Sequence, residues 1–156
     1  MAKGIPPFPI RSVLELFQSY VRKGRLQLDR TKLQERVTLH DPCNLVRHGG
    51  VVEPQREVLR AAVTDFVEMA EHGIENYCCG GGGGALAMGA YKERRLASGG
   101  RKAEQIRRTG AKIVVAPCHN CIDQLMELNK TYQLGVKIQT LAELLSDVVV
   151  SPSSSR

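Results

Sequence analysis

The sequence predicts an α/β fold: a single domain with a roughly four-stranded parallel sheet flanked by helices, and cysteines at the C-terminal ends of the strands. Three observations carry this. Short β-branched runs alternate with helical stretches of more than ten residues, an order that favours parallel strands joined by crossover helices. The chain has 156 residues, the size of one domain around one core. Its five cysteines all fall just after strand candidates, where ligands of open α/β sheets sit.

The elements follow in order. Apolar residues at Val13, Leu14, Leu16, Phe17, Tyr20 and Val21 recur at helical spacing, with Ser12 as N-cap. A polar stretch leads to a first strand at 37–40, stopped by Asp41–Pro42. Val58, Leu59, Ala62, Val63, Phe66, Val67 and Ala70 predict a helix over 57–71 that Gly73 terminates. A second strand is expected at 74–77, then a glycine run and a helical stretch to 108 that Gly99–Gly100 interrupt and Gly110 closes. The run KIVVA at 112–116 predicts a third strand, 121–132 a helix, 136–139 a fourth strand and 141–145 a last helix. The limits expected are an N-terminal helix and linker over 1–36, a cysteine-bearing domain over 37–148, and a disordered tail over 149–156.

Composition narrows the function classes. Aromatics make up 4% with no Trp, so aliphatic residues and Ala must fill the core. No apolar run approaches the ~20 residues of a membrane span. The N-terminus carries two prolines in a row and no long apolar stretch, so no secretory signal is expected and the location expected is cytoplasmic. The formal net charge is +6, but it is scattered over 22–25, 92–95 and 101–108 without interleaved aromatics. That argues against nucleic acid and leaves a solvated face or docking to an acidic redox partner.

The cysteines carry the chemistry. Cys43 is followed after 34 residues by Cys78–Cys79, and after 38 more by Cys118-x-x-Cys121. In a reducing compartment such spacing points to a metal or redox site. A CxxC at a strand-to-helix turn aims two sulfurs one way, and the helix N-terminus favours thiolate. Thiolates ligate zinc and iron–sulfur clusters alike. Adjacent cysteines suit a large ligand or an irregular backbone, because neighbours in a strand face opposite ways. Gly80, Gly81 and Gly82, in the run to Gly84, can bring backbone N–H groups close to such a centre. Gly80, Gly82 and Ala85, with Glu104 further on, also satisfy a dinucleotide-binding pattern, but in five consecutive glycines that match is nearly automatic. His40 and His119 are candidate proton relays beside the cysteines. Arg47 and Arg101 are candidates for holding an anionic substrate or offsetting cluster charge. His48, His72 and the four methionines suggest no role beyond packing or solvation.

Taken together, HDPC at 40–43, CCGGGGG at 78–84, Arg101 and TGAKIVVAPCHNC at 109–121 resemble the cysteine-rich CCG domain. That domain occurs in heterodisulfide reductase catalytic subunits and related iron–sulfur oxidoreductases, including a sulfite-reduction-associated branch. The resemblance covers about 11–148. It implies that 37–148 is the cluster-binding domain and that Cys43, Cys78, Cys79, Cys118 and Cys121 hold a [4Fe–4S] cluster, non-cubane in the heterodisulfide reductases. It implies reduction of a disulfide to thiols within an electron-transfer complex. The partners it implies are the other subunits and a disulfide substrate, carried on a small protein in one version. The membrane is reached only through partners. Family members usually carry two such domains or a ferredoxin module, whereas this chain has one domain and no ferredoxin motif, so it is expected to be inactive alone. The alternatives are a structural zinc-binding interaction module, an electron relay for 2-hydroxy acid oxidation, and a metal-free dithiol exchanger using Cys118 and Cys121.

Overall fold

The β-branched runs pair as expected. In the computed structural model, which describes residues 9–150, β1 (Val37–Leu39), β3 (Ile113–Val115) and β4 (Lys137–Gln139) are joined by β2 (Phe66–Val67) in one four-stranded sheet. The order is β2-β1-β3-β4 and every pairing is parallel.

Alternation along each strand sorts side chains into two cores. Val37, Leu39, Ile113 and Val115 pack on one face with α1 (Val13–Arg22), α2 (Glu53–Ala62) and α6 (Leu141–Val148). Val114 and Ile138 face the other way, onto α4 (Gly100–Thr109) and α5 (His119–Thr131), whose Ile106, Leu125 and Leu128 are fully buried. The short α3 (Lys92–Ser98) precedes α4. Helices therefore cover both faces, as a buried parallel sheet requires.

Local signals explain the helix starts. Ser12 and Glu15 form a reciprocal capping box on α1, and Thr140 and Glu143 do the same on α6, satisfying N–H groups that a helix start leaves orphaned. Gly110, at φ 65°, closes α4 as a left-handed cap. Gly99 lies between α3 and α4, and only glycine fits there, because a Cβ would lie 2.5 Å from Leu128 Cδ2 and 3.0 Å from the Cys79 carbonyl.

One stretch departs from the sequence reading. The helix expected over 57–71 is α2, which starts earlier and ends at Ala62; Phe66–Val67, assigned to its apolar face, is strand β2. Pro54, near the start of α2, is a helix-start signal in its own right. Valine and phenylalanine suit a strand as well as a helix face, so periodicity alone could not separate them. The strand expected at 74–77 is instead a 3-10 turn, Gly73–Glu75, with Gly73 at φ 60°. Gly73 is therefore a loop residue rather than the end of a helix.

Val149 and Val150, assigned to the tail, are tied back by a bridge from Val149 to Leu28 and by the Val150 N–H donating to Gln27 O. The rest of that tail, 151–156, lies outside the described residues.

Candidate metal centre

The cysteines reach one rim from three segments, each positioned differently. Cys118 lies just beyond Ala116, directly after β3, and is the N-cap of α5; Cys121 sits in the first turn of that helix. There the unpaired N–H groups and the helix dipole favour negative charge. Cys43 follows β1 at the head of a π-helical turn, Asn44–His48.

Contrary to expectation, Cys78–Cys79 does not follow a strand; it lies in a loop well beyond β2. Side chains from the first segment hold that loop in place of sheet hydrogen bonds. Asp41 accepts from Gly73 N–H at 2.6 Å, and Arg47 donates to the carbonyls of Ile74 and Asn76. Asp41 is itself fixed by a buried two-point ion pair with Arg56 at 2.8 and 2.5 Å. The other end is anchored to α5: Gln124 Nε2 donates to Cys79 O at 2.9 Å and also to Arg95 O, while its Oε1 accepts from Arg95. Arg47, read from sequence as a substrate or charge-balancing candidate, is thus a structural clamp. Arg101 pairs with Glu71 at 2.6 Å and lies 4.5 Å over the Tyr77 ring.

The five thiols are free and line one cleft of about 350 Å³ together with Asn44, His48, Asn120 and Gly81–Gly83. Cys78 is exposed, Cys43 and Cys118 are half-buried, and Cys79 and Cys121 are buried. Hydrogen bonding from Cys121, then burial, pushes the Cys79 thiol up to about 12. The Cys78 thiol is raised as well, first by Cys79 and then by burial. Crowded thiols resist ionising together because each thiolate repels the next. A cation inserted among them would reverse that preference. Gly80 N–H donates to Cys78 Sγ at 3.3 Å.

The glycines divide the work. At Gly81 a Cβ would lie 2.7 Å from Gln124 Cβ and 3.0 Å from Asn120 O, so this residue lets the loop press on α5. Gly82 and Gly83 have nothing within 4 Å and face the cleft. Gly80, at φ 91°, packs against the Arg95 carbonyl and is not part of the cleft lining. No strand leads into this run, and Ala85–Ala87 is a 3-10 turn, so the dinucleotide pattern lacks its strand and helix.

His40 and His119 have opposite settings. His119 is 86% exposed with Nε2 3.6 Å from Asp123. His40 is buried, and neither ring nitrogen has a hydrogen-bond partner among the described residues. Its donor atoms lie within 4.8 Å of the sulfurs of Cys79 and Cys121. Burial, then the Lys102 ammonium, pushes its pKa down to about 3, so the imidazole is neutral. Sequence reasoning missed His48, Asn44 and Asn120 in the cleft wall, although all three are close neighbours of a cysteine in the chain. It also missed Lys102, which is 1% exposed.

An α/β domain that gathers five thiols from three segments in one cleft belongs to the class of cysteine-based metal or cluster-binding domains. More narrowly, the chain belongs to the CCG cysteine-rich domain family, whose profile matches residues 37–126. It is 36% identical over 118 residues to a probable membrane-anchored ferredoxin of Chromohalobacter salexigens, covering 76% of this chain and 17% of that protein. It is 28% identical over 144 residues to a dihydromethanophenazine:CoB–CoM heterodisulfide reductase subunit of Methanosarcina acetivorans, covering 92% and 34%. It is also 28% identical over 148 residues to Hdr-like menaquinol oxidoreductase iron–sulfur subunit 2 of Archaeoglobus fulgidus, covering 88% and 26%. The chain thus spans about a third or less of the length of these relatives.

Proposed function

We propose that the chain is the iron–sulfur oxidoreductase domain of a heterodisulfide-reductase-like electron-transfer complex, with Cys43, Cys78, Cys79, Cys118 and Cys121 holding a [4Fe–4S] cluster at which a disulfide is reduced. The observation that carries the reading is the meeting of five free thiols from three segments in one cleft. Two disulfides would leave one thiol over, and a tetrahedral zinc site closes with four donors. Five sulfurs also exceed the four of a cubane cluster, which favours the non-cubane form. The relatives support the same chemistry, being named as iron–sulfur and heterodisulfide reductase subunits.

When bound, the cluster supplies one-electron transfer. The overall change is RS–SR′ + 2e⁻ + 2H⁺ → RSH + R′SH, with electrons delivered singly by iron–sulfur subunits of the assembly. The chain's own groups divide the remaining tasks. Exposed Cys78 marks the open side, where the disulfide, on a small molecule or a small protein carrier, enters past His48 and Asn120. His119, in contact with solvent, passes protons to the departing thiols. His40 is sealed from solvent, with two unpartnered ring nitrogens beside the Cys79 and Cys121 sulfurs, where its ring N–H would donate to those sulfurs once they hold the cluster. Any association with a membrane runs through partners; among the described residues no helix is long and apolar enough to cross one.

Iron and acid-labile sulfide analysis of anaerobically reconstituted protein tests the reading. Both elements should bind, and Cys79→Ala should lose as much iron as Cys121→Ala. A Cys79→Ala variant with full iron and an unchanged spectrum would sink the five-cysteine set. The proximity of His40, Cys79 and Cys121 favours a second reading, a single zinc ion; that protein would be colourless with stoichiometric zinc.

A further inference from the structure

Lys102 stands on α4, in the layer that packs beside Met69, Cys79 and Cys121. Its side chain is 1% exposed. Its Nζ has one hydrogen-bond acceptor among the described residues, the Met69 thioether at 3.5 Å, and a thioether accepts weakly. The nearby carboxylates are committed elsewhere. Asp41 binds Arg56 and Gly73 N–H, and Glu71 binds Arg101 and Gln105. Burying an ammonium without an anionic partner costs several kcal/mol, so a fold that keeps one there has a use for the charge. Burial pushes its pKa down to about 8, held from falling further by interaction with Cys79 first, then Asp41, Glu71 and Cys78. A value of about 8 keeps the group mostly charged near neutral pH, and two of the groups that act on it are sulfurs of the cleft, which become anionic when they hold a metal.

We propose that Lys102 is the resident countercharge of the cysteine cleft: a buried cation on the α4 side that offsets the charge of the thiolates and their cluster, and so raises the cluster's reduction potential. This rests on the iron–sulfur reading above and adds a positioning residue to it. Reduction adds one negative charge to the centre. A fixed cation in low dielectric stabilises the reduced form more than the oxidised one, so removing it must lower the potential. In the metal-free chain the same cation is uncompensated, and removing it should relieve a penalty.

The two signs make the test specific. Lys102→Met keeps length and packing volume without charge, Lys102→Gln is a second neutral variant, and Lys102→Arg keeps the charge. The full chain is prepared metal-free under reductant for thermal melting, and reconstituted anaerobically for an EPR-monitored redox titration. Expected are a higher Tm for metal-free Lys102→Met than for wild type, and a midpoint potential lowered by at least a tenfold shift of the one-electron equilibrium, about 59 mV. Lys102→Arg should stay near the wild-type potential. If loaded Lys102→Met and Lys102→Gln both keep that potential, the countercharge role is overturned and Lys102 is a packing residue. A wild type that takes up no iron overturns the iron–sulfur reading instead, and the inference falls with it.

Discussion

Asp41 shows how one residue can position a site without entering it. Its carboxylate ties Arg56, and through Gly73 N–H it ties the loop that ends in Cys78–Cys79. Burial would raise its pKa, but the Arg56 hydrogen bonds and charge, with the Gly73 N–H, win and hold it below the usual carboxylate range. A depressed carboxylate contributes stability that is fully present above its unfolded value, near 4. That stability is lost as pH falls through the folded value. His40 acts in the same direction over a higher window. Its folded value of about 3 lies below the ordinary 6.5, so the unfolded chain binds more protons between the two. Urea midpoints of the metal-free chain should therefore decline as pH drops from about 6.5, and more steeply below about 4. Asp41→Asn should cost about 1–3 kcal/mol, less than a fully stranded charge because Glu68 still pairs with Arg56, and should flatten the steeper limb; an unchanged profile would show that Asp41 is not the staple.

The loop from Gly80 to Gly84 and helix α5 form one unit at the scale of elements. Glycine is required at Gly81, where the loop touches α5, and at Gly83 and Gly84, whose φ of 64° and 77° disfavours any side chain, but is dispensable at Gly82. Gly81→Ala should cost about 1–3 kcal/mol through overpacking against Gln124 and the Asn120 carbonyl, displace Cys79 and reduce iron uptake. Gly82→Ala, with nothing within 4 Å, should change Tm by little. Equal losses at both positions would mean that the loop needs freedom throughout rather than one close contact. The β1, β3 and β4 strands and the α1, α4, α5 and α6 helices were legible from clean apolar periods, with Ser12 marking the start of α1 and Gly110 the end of α4. The 57–77 stretch was not. Its Val and Phe residues fit both periods, and what holds Cys78–Cys79 is a pair of charged side chains from 41 and 47, contacts that sequence spacing does not encode.

The cysteine cleft opens to solvent at the strand ends, and many surface cations already have partners: Arg22 with Glu57, Arg36 with Asp65, Arg107 and Arg108 with Glu104. Such exposed pairs add little stability. A disulfide needs two electrons, whereas a single cluster passes one at a time. The reconstituted chain alone should therefore perturb its EPR signal when an oxidised sample meets a thiol, yet show no rapid disulfide reduction with NADPH in a spectrophotometric assay. Rapid NADPH-dependent turnover would refute the need for an assembly. An EPR signal indifferent to thiols would make the chain a pure electron relay.

By itself the sequence determined the α/β class, the parallel sense of the sheet and the spacing of the five cysteines. Period, caps and the Cys–Cys–Gly and CxxC spacings are local properties, written in consecutive residues. Only the tertiary structure decided how the middle pair is held, which glycines touch α5 and which face the cleft, and that His40 and Lys102 lie buried beside the sulfurs. Those facts depend on which side chains meet across distant stretches of chain, and on how much water remains between them, and burial sets the charge that a group carries.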